Sequence, residues 1–370
     1  MFIIRRILMK KRVIWFVFLC AMAVLNFNAC TKNSPTQSEN EFWEQIDQFV
    51  TDRMDPNGAG FGVLVIKDGE VAFGKGWGMA NIANNVEFTD NTPTDLASLT
   101  KQFTAAAILI LYEREMLSLD ARVINYFPEM PAEWSEITIH HLLTHQSGIP
   151  NYTDFLNEWA DYDGMTNEQV FDLALQRNSL DFTPGNNSSY SNTGYIILAL
   201  LIERITEMTY HEFLNENIFS PLEMTATFVG NESAEFPSGI ALSYDEYNRP
   251  YNYRFYTYGS SGIYSTLNDM FKWDQALYTE QLLNQATLQM AFTGYTGGEN
   301  DYGYGWMVGS HSIFKSVRHG GYSMGNLNYI YRITDLDFTY LFLSNGGVFA
   351  NDGFDTWTTE LQQMIFDHFL

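Results

Sequence analysis

Phe61-Gly62-Val63-Leu64-Val65-Ile66 is an unbroken apolar run, Lys67-Asp68-Gly69-Glu70 carries an Asp-Gly pair, and Val71-Ala72-Phe73-Gly74-Lys75-Gly76-Trp77-Gly78 runs on from it. An Asp-Gly turn between two such runs predicts an antiparallel hairpin whose first strand is buried. The hairpin commits the chain to a sheet close to its N-terminal side. Strand patterns then vanish until about residue 251, and return at 303–308, 326–333 and 338–343. Helical spacing fills the remainder, over 41–54, from Ala97 onward, and over 155–177, 193–215, 267–278 and 356–370. The order predicts an α+β domain over 41–370. Its sheet-bearing part covers about 41–115 and 251–370, and a helical insertion covers about 116–250.

The helix that follows the hairpin opens Ala97-Ser98-Leu99-Thr100-Lys101-Gln102. Asp95 stands where it can cap it. Ser98 and Lys101 are three apart and share a helix face. A serine hydroxyl is a poor nucleophile until a base takes its proton, and a buried lysine, whose charge burial disfavours, is such a base. S-x-x-K alone also describes many surface helix starts, so other signals have to carry the assignment.

Two further stretches bear chemistry. Tyr190-Ser191-Asn192 follows the turn Phe182-Thr183-Pro184-Gly185 and precedes an apolar helix. Tyr190 can shuttle a proton where neighbouring positive charge lowers its pKa, and Asn192 can bind a substrate amide or hold Lys101. His319-Gly320-Gly321 leads toward the strand from about Asn326; its glycines permit close approach by ligand or backbone, and His319 can donate to a leaving group or a carboxylate. Each stretch is weak alone, being equally a helix-start loop and a histidine at a glycine turn.

Other patterns fail on context. Gly321-Tyr322-Ser323-Met324-Gly325 matches G-x-S-x-G, but that nucleophile elbow needs a helix after it. Leu327 to Ile333 instead alternates like a strand, and the only histidine downstream is His368. His141 and His145 have a zinc-like i, i+4 spacing, yet no glutamate follows His141 and no third ligand presents itself, so they read as structural.

Composition bounds the partners. The chain has 44 acidic and 20 basic side chains, a net charge of −24. That surface repels phosphate backbones, so no nucleic-acid partner is expected. Basic Arg5, Arg6, Lys10, Lys11 and Arg12 precede an apolar run over 13–25, which predicts a signal segment within 1–30. Starts at Met1 and Met9 are both open. Ala29-Cys30 resembles a bacterial lipoprotein processing site, so lipidation at Cys30 and a tether over 31–40 are expected. The protein is then exported and faces the periplasm or exterior, held to the membrane by lipid alone.

Together the three motifs, in this order and widely spaced, resemble the serine β-lactamase and penicillin-binding protein superfamily, in its class C-like branch of esterases and D-amino-acid peptidases. Leu142-Leu143-Thr144-His145-Gln146-Ser147-Gly148-Ile149-Pro150 is the most specific further match; Pro184-Gly185, Gly262-Ile263-Tyr264-Ser265-Thr266 and Tyr302-Gly303-Tyr304-Gly305-Trp306 also fit. The resemblance implies an antiparallel sheet flanked by helices, with a helical domain inserted and the site in the cleft between. It implies that Ser98 forms an acyl-enzyme with an ester or amide, that Lys101 and Tyr190 share the base work, and that Asn192 positions the substrate. His319 and Gly321 then belong to the substrate-binding strand, and the backbone N–H groups of Ser98 and Tyr322 to an oxyanion hole. No metal or cofactor is implied. The substrate is a small ester, a peptide or a β-lactam. Lysine, threonine, glycine is the usual third motif of β-lactamases; His319-Gly320-Gly321 in its place turns the expectation toward an esterase or D-peptidase. A catalytically silent protein that binds cell-wall peptides in the same cleft is the alternative.

Overall fold

The computed structural model describes residues 37–156, 163–230, 238–251, 256–298, 301–346 and 354–370. The signal segment, Cys30 and most of the tether lie outside them. Two compact units divide the chain, Met1–Asp47 and Gln48–Leu370. Helix α1, Gln37–Thr51, runs across that boundary.

The second unit is built on a seven-stranded antiparallel sheet. Its strands are β1 (Phe61–Lys67), β2 (Glu70–Trp77), β3 (Asp301–Tyr302), β4 (Met307–His311), β5 (Phe314–Ser323), β6 (Asn326–Ile333) and β7 (Phe338–Ser344), in the spatial order β2-β1-β7-β6-β5-β4-β3. The hairpin forms at Asp68-Gly69, both in the left-handed region at φ 53° and 77°, as an Asp-Gly turn between twisted strands requires. All of β1 but its last residue is buried, because it pairs on both edges: Leu64 faces Gly74 of β2 on one side and Leu341 of β7 on the other.

Helix α2 (Thr100–Glu113) is buried along Thr100 to Leu111. A helix apolar on every side belongs inside a protein. Its Phe103 ring lies 4.2 Å from that of Trp273 in α5 (Leu267–Ala276). Side chains such as Phe103, Ile108 and Leu109 each contribute roughly 1.5–3 kcal/mol by leaving water. The middle of the chain supplies α3 (Asn167–Arg177) and α4 (Asn192–Thr206), and these share one apolar core with α2 and the sheet. The middle is not wholly helical: Phe228–Val229 joins Ile263–Ser265 and Thr94–Asp95 in a small second sheet. α6 (Phe354–Phe369) closes the described chain.

Four sequence expectations are corrected. The helix expected over 155–177 begins at Asn167, where Thr166 caps it, and Tyr152–Phe155 is a separate 3-10 turn. The helix over 193–215 breaks at Glu207, in the left-handed region at φ 58°, and restarts at Tyr210 under a Thr209 cap. Of the strand expected over 303–308 only Met307 and Val308 are strand, the start of β4; residues 303–306 form the bend that parts it from β3. His319-Gly320-Gly321 does not lead into a strand from a glycine turn; it lies within β5, with Val317, His319, Gly321 and Ser323 alternately buried.

Arg332 of β6 and Asp274 of α5 form an ion pair with almost no exposed side chain, Nε to Oδ1 at 2.6 Å. Thr339 Oγ1 donates to the same carboxylate oxygen at 2.7 Å, and Arg332 Nη2 to the Asp274 carbonyl at 3.2 Å. Removing one partner leaves an uncompensated buried charge. Asp274→Ala should therefore lower unfolding free energy by about 3–5 kcal/mol in urea titrations. A loss under about 1 kcal/mol would show that α5 is not tied to the sheet by this pair.

Candidate active site

Ser98 sits in a 3-10 turn, Ala97–Leu99, immediately before α2. The turn is held from several directions. Ala97 N–H donates to Asp95 Oδ1 at 2.9 Å, and Leu96 N–H to the Ile263 carbonyl at 2.8 Å. Asn328 Nδ2 on β6 donates to the Asp95 carbonyl at 2.8 Å. Ala97 has φ 49°, left-handed for a residue with a Cβ. Burial raises the pKa of Asp95, and hydrogen bonds from Ala97 N–H, Ser323 and Asn326 oppose that. Ser323 is thus a partner of Asp95, which holds the turn through Ala97 N–H and does not cap α2 as the sequence predicts, since α2 begins after Leu99 without a side-chain cap. It ends β5 in a turn into β6 rather than into a helix.

Lys101 follows one turn later and is wholly buried. Its Nζ lies 3.1 Å from Ser98 Oγ, 2.8 Å from Asn192 Oδ1 and 2.8 Å from the Ser260 carbonyl. It also lies over the rings of Tyr190, 4.7 Å from the centroid, and Tyr195, at 5.6 Å. Burial drives its pKa well below the ordinary lysine value. A neutral amine has two N–H donors and a lone pair. Asn192 and Ser260 accept two N–H donors, so that in the neutral form, which burial favours, the lone pair is left for the Ser98 hydroxyl. Asn192 is placed by Ser191, whose side chain caps α4 by accepting the Gly194 N–H.

Tyr190 is 38% exposed overall, and its ring stands between His145, at 4.4 Å, and Lys101. Sequence reasoning required positive charge to lower its pKa. The structure gives the opposite direction: burial raises it, and interaction with the Ser98 hydroxyl opposes this only in part. Tyr190 therefore carries its proton at neutral pH.

His319 is buried and faces inward from β5. Its Nδ1 is 2.6 Å from the Gly320 carbonyl, so Nδ1 holds the proton. Its Nε2, 2.9 Å from Tyr302 Oη, accepts from that hydroxyl. Burial first and the Lys101 charge second push its pKa down to about 3. Both ring nitrogens are taken and the ring is neutral, so the expected donor to a carboxylate is not present. Gly321 also serves packing. A Cβ there would stand 2.5 Å from the Leu96 carbonyl, so its bareness lets β5 press against the Ser98 turn. Gly305 does likewise on α2, where a Cβ would meet the Lys101 carbonyl at 2.7 Å. Tyr322, 56% exposed, is the next residue along β5. β4 pairs with β5 only over Phe314 to Arg318, so its ladder stops short of His319.

A cavity of about 460 Å³ opens beside these groups, lined among others by Tyr190, His319, Tyr302, His145 and Met307. Charged side chains are missing from its described lining. Among the described residues no group of three or more His, Cys, Asp or Glu converges to hold a metal. His141 and His145 do not share a helix face, since that helix ends at Leu143. Sequence reasoning missed Ser260, which acts through its carbonyl and so has no side-chain signature, and Tyr302, the partner of His319.

Residues 46–364 match the Beta-lactamase family. The chain belongs to that family. It is 32% identical over 305 residues to penicillin-binding protein 4* of Bacillus subtilis, covering 76% of this chain and 67% of that one. It is 28% identical over 258 residues to a D-aminopeptidase of Gluconobacter oxydans, covering 67% of this chain and 48% of the relative, so it spans about half of that protein. The octameric penicillin-binding protein homologue of Pyrococcus abyssi superposes with a TM-score of 0.73 at 27% identity, covering 84% of this chain and 75% of that one. The β-lactamase-like α+β fold expected from the sequence is the fold observed.

The Lys101 shift carries a sign that can be measured. Because the folded pKa is lowered, the neutral amine is populated well under pH ~10.4, the usual lysine midpoint. Labelling of Ser98 by a fluorophosphonate should rise with pH along a limb that is complete below that midpoint. A limb centred near 10.4 would mean that Lys101 is not the group that accepts the Ser98 proton.

Proposed function

We propose that this protein is a serine hydrolase that forms an acyl-enzyme on Ser98 and passes the acyl group to water, cleaving an ester or amide. The observation that carries the reading is the buried Lys101 Nζ, 3.1 Å from Ser98 Oγ and held by the uncharged oxygens of Asn192 and Ser260, where burial lowers its pKa and favours the amine that can take the hydroxyl proton. Lys101 takes the hydroxyl proton as Ser98 attacks the carbonyl. Tyr190, which burial keeps protonated, gives its proton to the leaving group. The developing oxyanion is met by backbone N–H groups of Ser98 and Tyr322. Asn192 positions the substrate amide while it holds Lys101.

The neutral, fully engaged His319 and the uncharged cavity favour substrates whose leaving side bears no carboxylate. Esters and D-amino-acid amides satisfy this better than β-lactams, as do peptides whose C-terminal carboxylate lies well beyond the cleaved bond. The relatives called D-aminopeptidase and penicillin-binding protein support acyl chemistry on such groups. The basic and apolar N-terminal segment supports work at the cell envelope, with Cys30 as lipid anchor; absence of a lipid adduct on Cys30 in membrane fractions would remove that part.

The deciding experiment is intact mass and peptide mapping after separate exposure to a fluorophosphonate, a short-chain ester and a penicillin. The adduct should lie on Ser98, with the ester turned over and penicillin reacting more slowly. Ser98→Ala should abolish turnover by at least about 10³-fold, while Ser323→Ala retains it. Loss in Ser323→Ala alone would overturn the assignment. A folded protein that none of the three labels would indicate the silent peptide-binding protein.

A further inference from the structure

The segment from His145 to Asn151 lies along the loop that carries Tyr190 and Asn192 and hydrogen-bonds it repeatedly. Gly185 N–H donates to the Gln146 carbonyl at 2.9 Å and Asp181 N–H to the Gly148 carbonyl at 2.8 Å. Thr193 Oγ1 donates to the Pro150 carbonyl at 2.9 Å, and Asn192 N–H to Asn151 Oδ1 at 3.0 Å. None of these donors or acceptors reaches Ser98. They form a template against which the loop is laid.

His145 occupies the centre of that seam. Ser189 N–H donates to the His145 carbonyl at 2.9 Å. Ser191 N–H donates to His145 Nδ1 at 3.1 Å. The backbone N–H groups of the two residues on either side of Tyr190 are thus both fastened to one residue, whose ring also lies against Tyr190 at 4.4 Å and against Tyr302 at 4.5 Å. His145 is 4% exposed. Because Nδ1 accepts, the proton is on Nε2. That N–H is buried with no hydrogen-bond partner among the described residues. His145 also has φ 60°, a conformation few residues with a Cβ adopt. An apolar side chain would fill the space without stranding a donor. What the imidazole supplies that an apolar group cannot is an acceptor at Nδ1, facing the peptide after Tyr190.

We propose that His145 is the positioning residue of Tyr190, fixing the backbone N–H of the residue before it and of the residue after it, and one ring face, so that the phenol stands beside Ser98 to protonate the leaving group. This rests on the role given to Tyr190 under Proposed function. His145 touches no reacting atom; it acts through Tyr190.

The test uses the full chain and two substrates with the same acyl group, a p-nitrophenyl ester and an ethyl ester. p-Nitrophenolate departs without a proton and ethoxide does not. Tyr190→Phe and His145→Phe should each lower kcat/KM for the ethyl ester by about 10²-fold, the scale of one lost general acid, and for the p-nitrophenyl ester by under about 3-fold. His145→Asn, whose Oδ1 can stand where Nδ1 stood and which tolerates the left-handed backbone, should recover about ten-fold of the loss. His145→Gln, with its acceptor one bond further out, should not. A structural role alone would depress both substrates equally. Equal loss on both esters in His145→Phe, no loss on either, or equal behaviour of Asn and Gln would each overturn the proposal. Should His145→Phe not fold, the Asn-to-Gln contrast decides by itself. Selective loss in Tyr190→Phe without it in the His145 variants removes this inference and leaves the hydrolase reading standing. Failure of the wild-type protein to acylate Ser98 removes both.

Discussion

A lysine buried without a carboxylate beside it is the constraint on which the rest of the site depends. Lys101 is fully enclosed, and its described hydrogen-bond partners are neutral: Ser98 Oγ, Asn192 Oδ1 and the Ser260 carbonyl. An acid in this shell would stabilise the ammonium and raise the pKa; three uncharged oxygens and two aromatic faces leave desolvation dominant. The partners come from three separate parts of the chain. The 3-10 turn before α2 brings the serine, the start of α4 the asparagine, and the stretch before Ile263–Ser265 the carbonyl. The small second sheet, which pairs Thr94–Asp95 with Ile263–Ser265, brings the first and third together.

The same preference for neutral groups extends outward. His319 is proton-donating at Nδ1 and proton-accepting at Nε2. An unpaired charge in the pocket costs more the drier the pocket becomes. The described hydrogen-bond partners of Lys101 accordingly hold no charge, although the chain carries a net −24.

How far the sequence discloses this follows the range of each interaction. The hairpin at Asp68-Gly69 and the apolar helix behind Lys101 are written in local periodicity, and Ser98 with Lys101 is a spacing within one helical turn. β5 is different. Gly320-Gly321 looks like a turn because glycine usually marks one, whereas here one of the pair is demanded by the Leu96 carbonyl across the fold. The alternation of Val317, His319, Gly321 and Ser323 was the signal available for a strand. The Lys101–Ser260 contact leaves no mark on side-chain identity. The run ending in Gly148-Ile149-Pro150 is conspicuous in sequence, but its purpose, to cradle residues 181–193, is visible only once the two segments lie together.

The pairing of β1 with β7 has a consequence for the birth of the molecule. Gly60 N–H donates to Asn345 Oδ1 across 285 positions of chain at the end of that strand pair. At a synthesis rate of ~5–20 residues per second, β1 waits on the order of 15–60 s for its neighbour to exist. Throughout that interval an apolar strand edge is unsatisfied and open to pairing with another chain. The sheet can close only when nearly all of the polypeptide has emerged. Until that happens the Ser98 turn has no β5 to meet, so the site is among the last parts of the fold to be completed.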